Sequence, residues 1–172
     1  LLPNTTYFYT ASAVNGAGTT WASPSESFTT PDALAARVVI NEIHYNPANE
    51  TSAEEFIELY NPGTTSLDLS GWSLTDAVEF TFPPGTTIPA NGYLVVAEDP
   101  GTLLSIYGFT AIGPWSGGLR NDGEEIDLRD GSGTLQDQVD YGSGFPWPTG
   151  ARGGGGSMEL LNAALDNDLG GS

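Results

Sequence analysis

Cysteine is missing from all 172 residues, which removes any disulfide framework and any thiolate nucleophile or metal ligand. Lysine is missing too. The basic residues are Arg37, Arg120, Arg129 and Arg152, against 22 Asp and Glu, for a formal charge of −18. Such a surface repels phosphate backbones, so nucleic-acid binding lacks its main electrostatic term. Anionic lipid surfaces are repelled in the same way. No apolar run approaches the roughly 20 residues of a membrane-spanning helix, so no membrane insertion is expected. Histidine occurs once, as His44. A Ser-His-Asp hydrolase needs a His beside a nucleophile on a tight elbow. Ser70-Gly71 and Ser116-Gly117 sit in turn contexts without a G-x-S-x-G pattern.

Gly and Pro are plentiful, at 23 and 12 residues, and with many Thr and Ser they suit a β protein rich in turns. The length allows one core of about 100–150 residues plus an accessory piece. The chain begins Leu1-Leu2-Pro3 rather than with Met. It is therefore expected to be a piece of a longer protein, with any targeting signal outside it. The acidic excess is open to several readings: a solvated surface, divalent cations, basic partners or a salty medium.

The clearest local pattern is Phe56 to Trp72. Phe56, Glu58 and Tyr60 alternate with Ile57 and Leu59, the period of a pleated strand. Asn61-Pro62-Gly63 ends it, because Pro cannot donate to a ladder and Gly tolerates positive φ. Leu67 and Leu69 alternate with Asp68, and Ser70-Gly71 turns into Trp72. Earlier, Tyr7 to Val14 alternates and Glu26 to Thr30 is a partner strand, which predicts a two-stranded hairpin. Val38 to Tyr45 is a strand with Ile40, Glu42 and His44 on one face. Tyr93 to Ala97 is a buried strand. Pro100 to Tyr107 is the one expected helix, started by Pro and stopped by Gly108. Glu125 to Arg129 and Thr134 to Tyr141 flank Asp130-Gly131-Ser132-Gly133, a hairpin signal. These short strands argue for an antiparallel sandwich.

Two resemblances organise the chain. Leu2-Pro3-Asn4-Thr5-Thr6-Tyr7-Phe8-Tyr9, Ala13-Val14-Asn15-Gly16-Ala17-Gly18 and Phe28-Thr29-Thr30 resemble the last two strands of a fibronectin type III domain. Leu2 and Tyr7 match its tyrosine-corner region. The stretches VINEIHYNP, EFIELYNPG, LDLSGWSL, FTFPPGTTIPANGYLVVAED, LRNDGEEIDLRD and DQVDYG, in that order, resemble the lamin tail domain in its secreted bacterial form. The expected layout is a partial fibronectin type III unit at 1–30, a linker at 31–36, a lamin-tail-like domain at 37–165 and a loose tail at 166–172. The resemblance implies an all-β, immunoglobulin-like antiparallel sandwich. It also implies a non-catalytic interaction or spacer module, extracellular or on the cell surface, docking a protein or surface component. Strand-mediated self-association through residues 1–30 follows from the unpaired edges of the incomplete unit.

Candidate site chemistry is sparse. Asn121-Asp122-Gly123-Glu124 and Asp130-Gly131-Ser132-Gly133 carry oxygen ligands suited to Ca²⁺, making Asp122, Glu124 and Asp130 metal candidates. Neither has EF-hand spacing, and both read equally as ordinary turns. Trp115, Trp147 and Tyr141 are candidate ligand residues, because exposed aromatics stack on sugar rings. That would make the module a polysaccharide-binding accessory domain of a secreted enzyme, assisted by Ca²⁺. The competing role for Trp115 and Trp147 is to plug the open ends of the sandwich. Glu42 and Glu58 are placed to face each other on paired strands. Asp137 shares a face with Val139 and Tyr141, so burial there requires donors. No cofactor is expected.

Overall fold

The computed structural model describes residues 6–29, 38–49 and 53–171. The expected linker and the Leu2 end of the first unit lie outside them. The chain divides into two compact units, Leu1–Ala35 and Ala36–Ser172.

The first unit holds β1 (Thr6–Tyr9), β2 (Ser12–Asn15), β3 (Gly18–Trp21) and β4 (Glu26–Thr29). β1 pairs antiparallel with β4 and β2 with β3. The expected two strands are thus four short ones. The Thr10 hydroxyl donates to Ala22 O at 2.7 Å, and Ala22 N–H donates to Ala11 O at 2.8 Å. These bonds replace the regular ladder where the long strand breaks. Asn15 caps the β2–β3 turn by accepting from Ala17 N–H at 2.8 Å.

The second unit is an immunoglobulin-like antiparallel β-sandwich. Its strands are β5 (Val39–His44), β6 (Phe56–Tyr60), β7 (Leu67–Asp68), β8 (Ser73–Asp76), β9 (Val78–Thr81), β10 (Thr87–Ile88), β11 (Tyr93–Ala97), β12 (Ser116–Gly117), β13 (Gly123–Arg129), β14 (Leu135–Gly142) and β15 (Met158–Glu159). One sheet has the order β11-β6-β5-β15 and the other β12-β9-β8-β13-β14, with β10-β7 as a small separate pair. Side chains of period two fill the space between: Ile40, Ile57 and Leu59 from the first sheet, Leu74, Ile126 and Leu128 from the second. Leu69 joins them, while Leu67 and Trp72 pack against this core only partly buried.

The helix α1 (Pro100–Tyr107) forms where the sequence predicts it. Asp99 is its N-cap, accepting from Gly101 N–H at 2.8 Å and Thr102 N–H at 3.2 Å. Gly108 closes it at a φ of 80°, which a side-chain-bearing residue adopts at a cost. Leu103 lies with Phe56 and Ala97 in a second small core on the outer face of the first sheet. Tyr107 locks the helix down by donating to Glu54 Oε2 at 2.6 Å, a bond that holds its phenol up at about 12. His44 lies under this helix: Nδ1 meets Glu54 O at 3.0 Å, and its ring is 5.1 Å from Phe56. Nε2 is buried and has no hydrogen-bond partner among the described residues.

β5 departs from simple alternation. Its register against β6 slips between Ile40 and Glu42, so Asn41 bulges and lies buried rather than facing the core in turn. The cause is Asp137. It is 3 % exposed, and its Oδ2 accepts from Ile40 N–H at 2.7 Å. The same oxygen accepts from Asn167 Nδ2 at 2.7 Å, and Asn167 also donates to Ile40 O at 3.0 Å. Asp137 is thereby anchored by donors, as its core-side position requires. Within the expected tail at 166–172, Asn167 is buried, and Asp168 Oδ1 accepts from Asp140 N–H at 2.6 Å. Replacing Asp137 strands a buried amide on each side of it. D137A should therefore lower the unfolding free energy by about 3 kcal/mol in urea denaturation, and a loss below about 1 kcal/mol would refute this clamp.

Candidate functional site

The predicted aromatic ligands are not on a common exposed face. Trp115 is 6 % exposed, and its ring lies in the main core, its buried Nε1 without a hydrogen-bond partner among the described residues. Tyr141 is 1 % exposed; it packs 4.9 Å from Tyr45 and donates to Arg120 O at 2.9 Å. Burial raises the pKa of its phenol, reinforced by Glu124. Neither can stack on a sugar. The sandwich ends draw loop aromatics inward because apolar rings cover core that the strands leave open. Trp147 is half-buried and lies across Gly142, where an added Cβ would meet its Cδ1 at 2.8 Å. It lines a cavity of about 290 Å³ with Ile40, Ile43, Val139, Met158 and Leu169.

The metal candidates do not converge either. Asp130 Oδ1 accepts from Ser132 N–H at 2.8 Å and Thr134 N–H at 3.0 Å, and its Oδ2 from Gln136 at 2.8 Å. The Ser132 hydroxyl, donating to Oδ1 at 2.7 Å, and these bonds hold its pKa below the usual range. Asp122 pairs with Arg120 at 3.1 Å in full exposure, and that guanidinium lowers its pKa. Glu124 Oε1 accepts from Arg120 N–H at 2.5 Å. Each carboxylate is occupied by its own turn or neighbour.

What the fold does assemble is a row of acids on the outer face of the first sheet. Glu42 stands opposite Glu58 on β6 and opposite Glu159 on β15. With strands about 4.8 Å apart, three carboxylates line up across three strands. Like charges directly opposite each other are destabilising in a sheet. The bulge offsets part of that cost, because Asn41 Nδ2 donates to Glu58 Oε1 at 2.9 Å. Ser157 Oγ donates to Glu42 Oε1. Burial raises the pKa of Glu58; the Asn41 bond opposes this, while Glu42 and Glu159 add to it. Beside the row, Tyr60 and Tyr93 are cross-strand partners with rings stacked 4.6 Å apart at 27°. Tyr93 is 56 % exposed. Burial, Tyr60, Glu58 and Glu159 together raise its pKa, which puts ring and acids in one field. Carboxylates flanked by an open aromatic face suit an ammonium or guanidinium group.

A family model for the lamin tail domain matches residues 31–143. The chain belongs to the lamin tail domain family. Neither the curated proteins nor the solved structures yielded a match. Lamin tail domains are an immunoglobulin-like, non-enzymatic family, compatible with an interaction module. In this lamin tail domain the Glu42–Glu58 pairing was legible from strand alternation. Glu159 was not, since β15 is two residues long and follows a glycine-rich loop with no register signal.

Just before β6, Glu55 is held up at about 7 from an ordinary 4.5. Burial is the main cause; the Leu119 N–H, at 2.8 Å, opposes it, and Glu98 and Glu124 add to it. The folded protein therefore binds this proton more tightly than the unfolded chain. Its stabilising contribution is complete below about pH 4.5 and is lost as pH rises to about 7. E55Q keeps the acceptor for Leu119. It should melt higher than wild type at pH 8 and alike at pH 4. Equal offsets at both pH values would contradict the shift.

Proposed function

We propose that this lamin tail domain is a non-catalytic docking module of a bacterial extracellular or cell-surface protein, and that it takes a basic protein segment on its acidic sheet face. The observation that carries this is the in-register row Glu58–Glu42–Glu159 beside the stacked Tyr60–Tyr93 pair. Three aligned carboxylates with few internal donors favour an outside cation. The chain's −18 charge and lack of Lys add long-range steering toward such a partner. A sugar-binding role loses two of its three aromatics to the core.

The test is titration of an Arg- and Lys-rich peptide by fluorescence anisotropy at low and high salt. Binding should weaken steeply with salt. E42Q/E58Q/E159Q should weaken it about tenfold, the size of one or two lost charge-assisted contacts. D122N/D140N/E79Q, with the same charge removed elsewhere, should change it little. Equal loss in both triple variants would reduce the effect to net charge and sink the docking face.

The first unit supports a second element of this reading. It carries exposed apolar side chains on short strands, among them Phe8, Val14 and Trp21. Such strands are suited to pairing with a second copy of the chain. Light scattering should find the full chain associating with concentration, and residues 36–172 folded and monomeric. A monomeric full chain at every concentration would exclude self-association through residues 1–30.

A further inference from the structure

We propose that Asp76, Glu125 and Asp127, on the outer face of the second sheet, form a binding site for one divalent cation with oxygen preference, Ca²⁺ foremost. Asp76 ends β8 and is the cross-strand partner of Ile126, so Glu125 and Asp127 flank it on β13. One oxygen from each carboxylate lies within 4.8 Å of the others. Twice a Ca–O distance of about 2.4 Å spans that separation, so one ion reaches all three.

A second observation separates this cluster from acids that merely crowd a surface. Asp127 is 2 % exposed, and its buried Oδ1 accepts no hydrogen bond among the described residues. Its Oδ2 pairs with Arg129 Nη2. Elsewhere in the protein the turn acids Asp68, Asp99 and Asp130 receive backbone N–H donors. Here the strand partners offer little. Asp76 Oδ2 receives the Thr75 hydroxyl at 3.2 Å, and Glu125 Oε2 receives the Gln138 amide at 2.5 Å. Three carboxylates against one guanidinium leave two negative charges, which a divalent ion cancels. Arg129 satisfies Oδ2 alone, so Oδ1 is left buried without a donor, and coordination removes that desolvation cost. The set has no His or Cys, so it selects Ca²⁺, Mg²⁺ or Mn²⁺ over Zn²⁺ or Cu²⁺. Ca²⁺ tolerates irregular geometry, with water completing the shell, better than Mg²⁺ does.

The test uses the full chain, stripped with EDTA, in calorimetric titration and thermal melts with CaCl₂ at about 5 mM, above the roughly 10⁻⁴–10⁻³ M range of extracellular Ca²⁺ modules. One equivalent should bind and raise the melting temperature. E125Q and D76N are exposed substitutions, and Asn tolerates the φ of 74° at Asp76. Each should weaken binding by at least about tenfold, since each removes one of three charged ligands. D122N and D130N should leave it unchanged. Metal-free E125Q should melt above metal-free wild type because a repelling charge is gone, and Ca²⁺ should reverse that order. Absence of heat and of a melting shift with Ca²⁺, Mg²⁺ and Mn²⁺ would overturn the site. So would binding that survives D76N/E125Q.

Discussion

The Asp137 carboxylate decides how the two sheets of this sandwich meet. A sandwich usually joins its layers through apolar contact alone, but here one charged oxygen bridges strands from different sheets. Oδ2 takes the Ile40 amide from β5 and the Asn167 amide from the tail. Charge-assisted bonds of this kind are about twice as strong as neutral ones. With Ile40 N–H committed to Asp137, β5 cannot keep regular register with β6. It slips by one residue and Asn41 bulges. The bulge then places the Asn41 amide against Glu58. The polar clamp inside the sandwich thus shapes the acidic face outside it.

The acids sort into three physical environments. Asp68, Asp99 and Asp130 cap their own turns, and their pKa values fall because local donors favour the charged form: first the Ser70 and Ser132 hydroxyls for Asp68 and Asp130, and backbone N–H groups for Asp99. Glu55, Glu58 and Asp127 are pushed up, each chiefly by burial. Asp137 and Glu54 are buried and hydrogen-bonded, and many of the others are exposed on the surface. The geometry divides the acids again. Among the described residues, the Asp76–Glu125–Asp127 oxygens form the one carboxylate cluster close enough to share an ion. The Glu58–Glu42–Glu159 row is spread at strand spacing, which suits an extended partner carrying several cations rather than one point charge. Arg120 and Arg129 are both bound to nearby aspartates, so neither competes for the row.

The sequence made the scaffold legible because periodicity and turn chemistry are local. Ile126 and Leu128 facing one way, Asp99-Pro100 opening a helix and Gly108 closing it are all readable within a few residues. The missed features depend on distant pairings. Trp115 sits in a loop without periodicity, and nothing nearby signals that its ring folds back into the core. Asn167 lies in a polar tail whose composition suggests loose chain, yet one side chain finds an acid 30 residues away. Asp76 adopts a left-handed backbone that its neighbours do not encode, and this re-aims its carboxylate. In each case the deciding contact spans tens of residues, beyond the reach of a pattern.

The boundary of the family match gives this a further consequence. Residues 31–143 contain Glu42, Glu58 and all three acids of the Asp76 cluster. They do not contain Glu159, Ser157 or Asn167. The third acid of the row, the hydroxyl that orients the second and the amide that completes the Asp137 clamp all come from the segment that follows. β15 adds this segment to the open edge of β5, where Met158 seals the core and Glu159 extends the row. A lamin tail domain with the same sandwich and a different edge strand would keep two facing glutamates and lose the aligned third. The charge pattern of this acidic face therefore follows the edge strand more than the shared fold, as expected when distinctive groups are added to a common scaffold.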